Sequence, residues 1–210
     1  MLGSVLHRDD IRSHLVGDVV FDGARWPCFV HTVEHPDGLV LVDTGMIDST
    51  PALDAEWAPR PAPLADEVVR RVAVVVNTHL HFDHCGGNRL FAGVPIHVQR
   101  RELADARTQP DYTIREWVDF PGAAYVEHEG EAEILPGLRL LPAPGHTAGH
   151  QVVVVDTDEG PVVLGGDVAY SFEELERGDT EGRRLVLELG ALTWLAHVER
   201  PRVPRLRRQG

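Results

Sequence analysis

His79-Leu80-His81-Phe82-Asp83-His84 packs three imidazoles and a carboxylate into six residues, directly after the apolar run Val72-Ala73-Val74-Val75-Val76. A β-strand that ends in such a loop delivers all four side chains into one small volume. Imidazole nitrogen together with carboxylate oxygen is a donor set that zinc accepts, as do iron, manganese and cobalt to a lesser degree. His79 and His81 are two apart, so in an extended segment they point to one side. Asp83 and His84 are adjacent and cannot both join them there, which points to a second metal position nearby. The bland alternative is a polar surface loop, and the segments downstream weigh against it.

Strand-like runs occur at Trp26–Val33, Leu39–Val42, Val72–Val76, Pro95–Val98, Leu138–Leu141, Gln151–Val155 and Val162–Leu164. Most are short, β-branched and bounded by Gly, Pro or Asp. Helices are expected at Ala65–Arg71, Gly87–Phe91, Arg100–Arg107 and Phe172–Leu189, and the proline-rich segment 58–63 reads as a surface connection. Strands with a minority of helices predict a layered α/β domain. Four strands finish beside a candidate ligand or its supporter. They lead into Asp43-Thr44-Gly45, the histidine loop, Pro144-Gly145-His146 and Gly165-Gly166-Asp167. Loops at one edge of a rigid sheet are how a scaffold holds a site.

The 210 residues suit one domain, and 43% apolar with 25% charged residues is an ordinary globular mix. A net charge of −13 disfavours nucleic acid as a partner, because phosphate binding needs a basic surface. Residues 198–210 form a basic tail with five arginines, expected to be disordered and solvated. All twenty Lys/Arg positions are arginine, which removes Schiff-base chemistry and the phosphate-cradling lysine of a P-loop. Cys28 and Cys85 are too few for a disulfide framework and are expected to be buried thiols. No signal-peptide core precedes His7 to Asp10, and no apolar run reaches the roughly 20 residues that span a bilayer. The expectation is a cytoplasmic protein, monomer or homodimer, acting on a small molecule without nucleic acid or membrane.

From Trp26 to His197 the chain resembles the metallo-β-lactamase fold superfamily. The motifs that carry the resemblance are Leu41-Val42-Asp43-Thr44-Gly45, His79 to His84, Pro144-Gly145-His146-Thr147 and Gly166-Asp167. It implies a four-layer αββα sandwich over residues 1–210 with two zinc ions between the sheets. By that resemblance His79, His81 and His146 bind one metal, Asp83, His84 and a late histidine bind the other, and Asp167 bridges them. The late histidine is His197, the only one beyond Asp167, at the end of the strand-like Leu192 to Ala196 and followed by Val198.

Within the superfamily the chain is most similar to the N-acyl-homoserine lactone lactonases, which quench quorum signals. Phe82 within His81-Phe82-Asp83-His84, the run Pro144 to Gln151, the segment Pro95 to Arg100, and Tyr170 three residues after Asp167 carry that similarity. Between Thr50 and Thr78, and again after Tyr170, the chain is shorter than those lactonases, in regions that build the acyl pocket. The implied reaction is opening of a lactone ring by a metal-bridging hydroxide, with Asp83 carrying the proton and Tyr170 donating to the substrate carbonyl. Phe82 reads as pocket wall or core filler.

Asp43 is expected to hold a ligand imidazole in one tautomer, the alternative being a plain turn residue. His150 is expected to make a structural hydrogen bond, and His97 stays open. His7, His14, His31, His35 and His128 read as surface or ordinary core. Two other functions compete. A thioester hydrolase of the glyoxalase II type shares the metal loop, but it carries a helical glutathione domain, and only thirteen residues follow His197 here. A non-catalytic metal-binding relative would hold one ion or none.

Overall fold

In a computed structural model of the chain, residues 5–189 and 193–196 are described. A hairpin of β1 (Ile11–Phe21) and β2 (Ala24–His35) is followed by β3 (Gly38–Val42), the short helix α1 (Pro51–Glu56), β4 (Arg60–Pro61), α2 (Asp66–Val69) and β5 (Val72–Val76). The histidine loop leads into the single turn α3 (Phe82–Cys85) and a 3-10 turn at Asn88–Phe91. Then come β6 (Pro95–Gln99), α4 (Arg100–Thr108), α5 (Arg115–Val118) and β7 (Ala124–His128). The second half runs β8 (Ala132–Leu135), β9 (Leu138–Pro142), β10 (Gln151–Thr157), β11 (Gly160–Gly166), α6 (Phe172–Glu176), α7 (Glu181–Glu188) and β12 (Thr193–Ala196).

The strands form a seven-stranded sheet, β4-β1-β2-β3-β5-β6-β7, and a five-stranded sheet, β12-β11-β10-β9-β8. Period-two alternation sends successive side chains to opposite faces. Val40 and Val42 meet Val153, Val155, Leu138 and Leu164 between the sheets. Their neighbours Leu39 and Leu41 face away, toward Trp57, Val68 and Val69 of the α1–α2 region. On the second sheet Val152, Val154 and Val163 likewise face out, against Leu175 of α6 and Val186 of α7. Each sheet is thus buried on both faces, which is why its strands read as unbroken valine runs. The order of layers is helix, sheet, sheet, helix, the αββα sandwich expected.

The elements differ from the sequence expectation in several places: α1, α5, β7 and β8 were not expected at all. Residues 11–21, left without an element, form the longest pairing in the first sheet, with β2. The proline-rich segment contributes β4, where Arg60 and Pro61 pair with Asp18 and Gly17 at the sheet edge, a position that tolerates a proline. The single helix expected over Phe172–Leu189 is two, capped separately by Ser171 and Thr180, because Gly178 takes φ +57 between them. Among the described residues no helix is long and apolar enough to cross a membrane.

β3, β5, β6 and β7 run parallel, so their carboxyl ends share one edge. The segments after β3, β5, β9 and β11 carry Asp43, the histidine loop, His146 and Asp167. The basic tail 198–210 lies outside the described residues.

Candidate metal centre

His79 leaves β5 after Asn77-Thr78 and is completely buried, as is His84, whereas His81 is partly open. Nε2 of His79 lies 3.1 Å from Nδ1 of His81, and Nε2 of His146 lies 3.0 Å from the same atom. Asp167, at the end of β11, places Oδ1 3.2 Å from Nε2 of His84 and Oδ2 3.5 Å from Nε2 of His146. Two donor groups result, His79–His81–His146 and His79–His84–Asp167, each with its ligand atoms within 4.8 Å of one another. Oδ2 of Asp83 stands further off, 3.9 Å from Nε2 of His84, and belongs to neither group. The structure therefore gathers five of the seven expected ligands into the two groups, with Asp83 beside them, and His197 lies outside the described residues.

Burial, then the facing imidazoles, pushes His79 well down, and burial with His146 takes His81 to about 4. Burial also lowers His146, against the pull of Asp167. The rings are accordingly neutral at pH 7, with lone pairs converging on one another. Neutral imidazoles and carboxylates aimed into a common buried space fit a divalent cation of the zinc class in chemistry and in spacing.

Around this set the protein builds a frame. Asp43 has φ +61, a conformation that Asp tolerates. Its Oδ1 accepts from the Thr78 amide, and its Oδ2 accepts from the Thr78 hydroxyl, all at 2.8 Å. Nδ1 of His84 is a further 2.8 Å neighbour of Oδ2. Asp43 thus lies within hydrogen-bond distance of a donor imidazole. The Cys85 thiol donates to the Leu80 carbonyl and belongs to neither donor group, and burial pushes it up to about 12. Cys28 and Cys85 are both buried thiols.

His150 departs from expectation. It is completely buried, with ring centroid 5.3 Å from that of His79, yet neither ring nitrogen has a hydrogen-bond partner among the described residues. Burial takes it to about 3. His97 is paired outside the site, its Nδ1 2.8 Å from Nε2 of His128.

A cavity of about 430 Å³ opens over the donors, with His81, Asp83, His146 and Asp167 in its floor. Its wall is aromatic. Phe21 stacks on Trp57 at 5.9 Å and 9°, Trp57 meets Phe82 at 5.8 Å, and Trp26 meets Tyr170 at 6.5 Å. Phe82 is thus both wall and core, since it also packs against the outer cluster of the first sheet. The Tyr170 hydroxyl lies 3.2 Å from Oδ2 of Asp167 and 3.3 Å from Nδ1 of His146. Burial and the Asp167 charge push this phenol upward, so it remains a donor. Phe21, Trp26, Trp57 and Tyr112, which also lines the cavity, were not legible as site residues. No motif marks them, and only the fold brings them to the donors.

The family model of the metallo-beta-lactamase superfamily matches residues 23–203. An N-acyl homoserine lactonase of a Bacillus species is 35% identical over 82% of this chain and 74% of its own length. Another from Bacillus cereus is 33% identical over 71% and 67%. Among solved structures, a quorum-quenching N-acyl homoserine lactone lactonase superposes with TM-score 0.73 at 25% identity, covering 93% of this chain and 92% of that one. An N-acyl homoserine lactone hydrolase with the product N-hexanoyl-L-homoserine at its catalytic metal centre gives TM-score 0.69 at 25% identity over 89% and 86%. Fold, ligand loops and sequence agree, and the chain belongs to the metallo-beta-lactamase superfamily, where the relatives it matches are N-acyl homoserine lactonases.

Proposed function

We propose that this chain is a dinuclear zinc hydrolase that opens the lactone ring of N-acyl homoserine lactones. The observation that carries the reading is the pairing of two overlapping donor groups with an aromatic cavity that no arginine lines among the described residues. Such a cavity receives a neutral head and an apolar tail. Its side chains offer no guanidinium to the remote carboxylates of a glutathione thioester, which disfavours the glyoxalase II alternative.

His79, His81 and His146 would hold one metal, and His84 with Asp167 the other, with Asp83 and His197 as the remaining candidates. Bound there, the metals supply Lewis acidity and lower the pKa of a water toward neutrality. The protein's own residues do the rest. The Tyr170 hydroxyl turns from Asp167 to donate to the lactone carbonyl oxygen as negative charge develops on it. As the new C–O bond forms and the ring C–O bond breaks, Asp83, a carboxylate in the cavity floor, carries the water's proton to the departing ring oxygen. Phe21, Trp57 and Phe82 cover the acyl chain and keep bulk water from it.

The test follows acid release from N-hexanoyl- and N-decanoyl-homoserine lactone, with a glutathione thioester as counter-substrate, alongside metal content. Metal-dependent hydrolysis of the lactones is expected. No lactone hydrolysis with two metals bound would reject the substrate, and one ion or none would favour a non-catalytic relative.

A further inference from the structure

Glu102 is a carboxylate with no exposed surface, placed in the first turn of α4 immediately after β6. Three segments donate to it. The Leu80 amide, lying between His79 and His81, reaches Oε1 at 2.8 Å. The hydroxyl of Thr147, the residue after His146, reaches Oε2 at 2.7 Å. The Tyr112 hydroxyl also donates to Oε1, and its ring lies 5.1 Å from that of His81 in the cavity wall. The loop that carries His146 rests directly on this helix turn. A Cβ placed on Gly149 would stand 2.3 Å from the Glu102 amide nitrogen, so only glycine allows that approach.

The two loops that supply His79, His81 and His146 come from different sheets, one following β5 and the other β9. Besides the ligands themselves, Glu102 is a group that touches both. We propose that Glu102 is a positioning residue that locks the two ligand loops and the Tyr112 wall into one register, setting the spacing of the His79–His81–His146 donors. The inference rests on those donors being a metal site, as the proposed function has it. Its chemistry is specific: two carboxylate oxygens accept three neutral donors, which neither an alanine nor an apolar residue of equal size can do. Partners one shell removed from a metal govern its affinity by fixing ligand orientation.

The experiment compares the metal-loaded wild type with Glu102→Ala, Glu102→Gln and Thr147→Val, by chelator competition and by the absorption spectrum of the cobalt(II)-substituted protein. Glu102→Ala is expected to weaken metal retention about 10- to 100-fold. Glu102→Gln, which keeps one acceptor oxygen for the Leu80 amide, should recover part of that loss, and Thr147→Val should fall between wild type and Glu102→Ala. The cobalt spectrum should shift in each, and kcat should fall more than KM rises. Should Glu102→Ala fail to fold, the other two variants decide. Wild-type retention and an unshifted spectrum in both would reduce Glu102 to a core residue and overturn the proposal. Metal retention does not depend on which ester is cleaved, so an inactive wild type would reject the lactone assignment without touching this one.

Discussion

Oδ2 of Asp43 lies 2.8 Å from Nδ1 of His84, and both side chains are almost wholly buried. The contact joins the end of β3 to the metal loop and leaves Nε2 of His84 facing Asp167. In Asp43→Asn the amide nitrogen cannot accept, so at least one of the three interactions with Thr78 and His84 is lost. The backbone should survive, because Asn also tolerates φ near +61. Affinity at the His84–Asp167 position should fall about 10- to 100-fold, which titration with a chelator measures. Unchanged affinity would make Asp43 a plain turn residue.

In the proposed reaction Tyr170 and Asp167 divide the work differently. Tyr170→Phe removes a donor to the developing oxyanion and should lower kcat by about 10²–10³-fold at most. Asp167→Ala removes a donor carboxylate and should abolish activity together with part of the bound metal. Steady-state kinetics with metal analysis separates the two, and equal tolerance of both changes would sink this division.

Trp57 stacks on Phe21 and meets Phe82 in the cavity wall. Each methylene of an acyl chain that packs there gains about 0.8 kcal/mol. Trp57→Ala should therefore cut kcat/KM for the decanoyl substrate about 10-fold or more. The butanoyl substrate, too short to reach the wall, should change little. Equal losses for both chain lengths would remove Trp57 from the acyl path.

His97 and His128 stack at 5.1 Å away from the donors. Burial, then His128, takes His97 down to about 4, and burial lowers His128 as well. In the unfolded chain each titrates near 6.5, so between pH 6.5 and about 4 the unfolded state binds more protons. Stability from this pair is complete above pH 6.5 and is lost as the pH falls through that window. Urea unfolding at pH 7.5, 6 and 5 should show the decline, and His97→Gln should flatten it. Parallel curves for the two proteins would assign the decline elsewhere.

What the chain disclosed by itself was local. His79 to His84 and the strand before it lie in one short stretch, and their spacing alone carries the chemistry. Valine runs such as Gln151–Thr157 announce strands buried on both faces. Residues 11–21 gave no such sign, because their burial changes from intermediate and exposed to buried midway and their register shifts between Leu15 and Gly17. Gly178 inside an otherwise helical pattern was too weak a signal to split α6 from α7. Glu102 was hidden for a different reason. An acidic residue in the first turn of a helix looks like a dipole partner, and only the packing of two sheets makes it a meeting point for both ligand loops.

The aromatic wall is assembled from Phe21 and Trp26 at the β1–β2 hairpin and Trp57 just past α1, whereas most of the donors sit on loops after β5, β9 and β11. Much of the wall and most of the donors therefore occupy separate stretches of chain, with Phe82 and Tyr170 where the two meet. Substitutions in the hairpin or near α1 can re-size the cavity while leaving the donor loops untouched. A molecule so divided can drift from one hydrophobic ester to another by small mutational steps, each intermediate still a working catalyst.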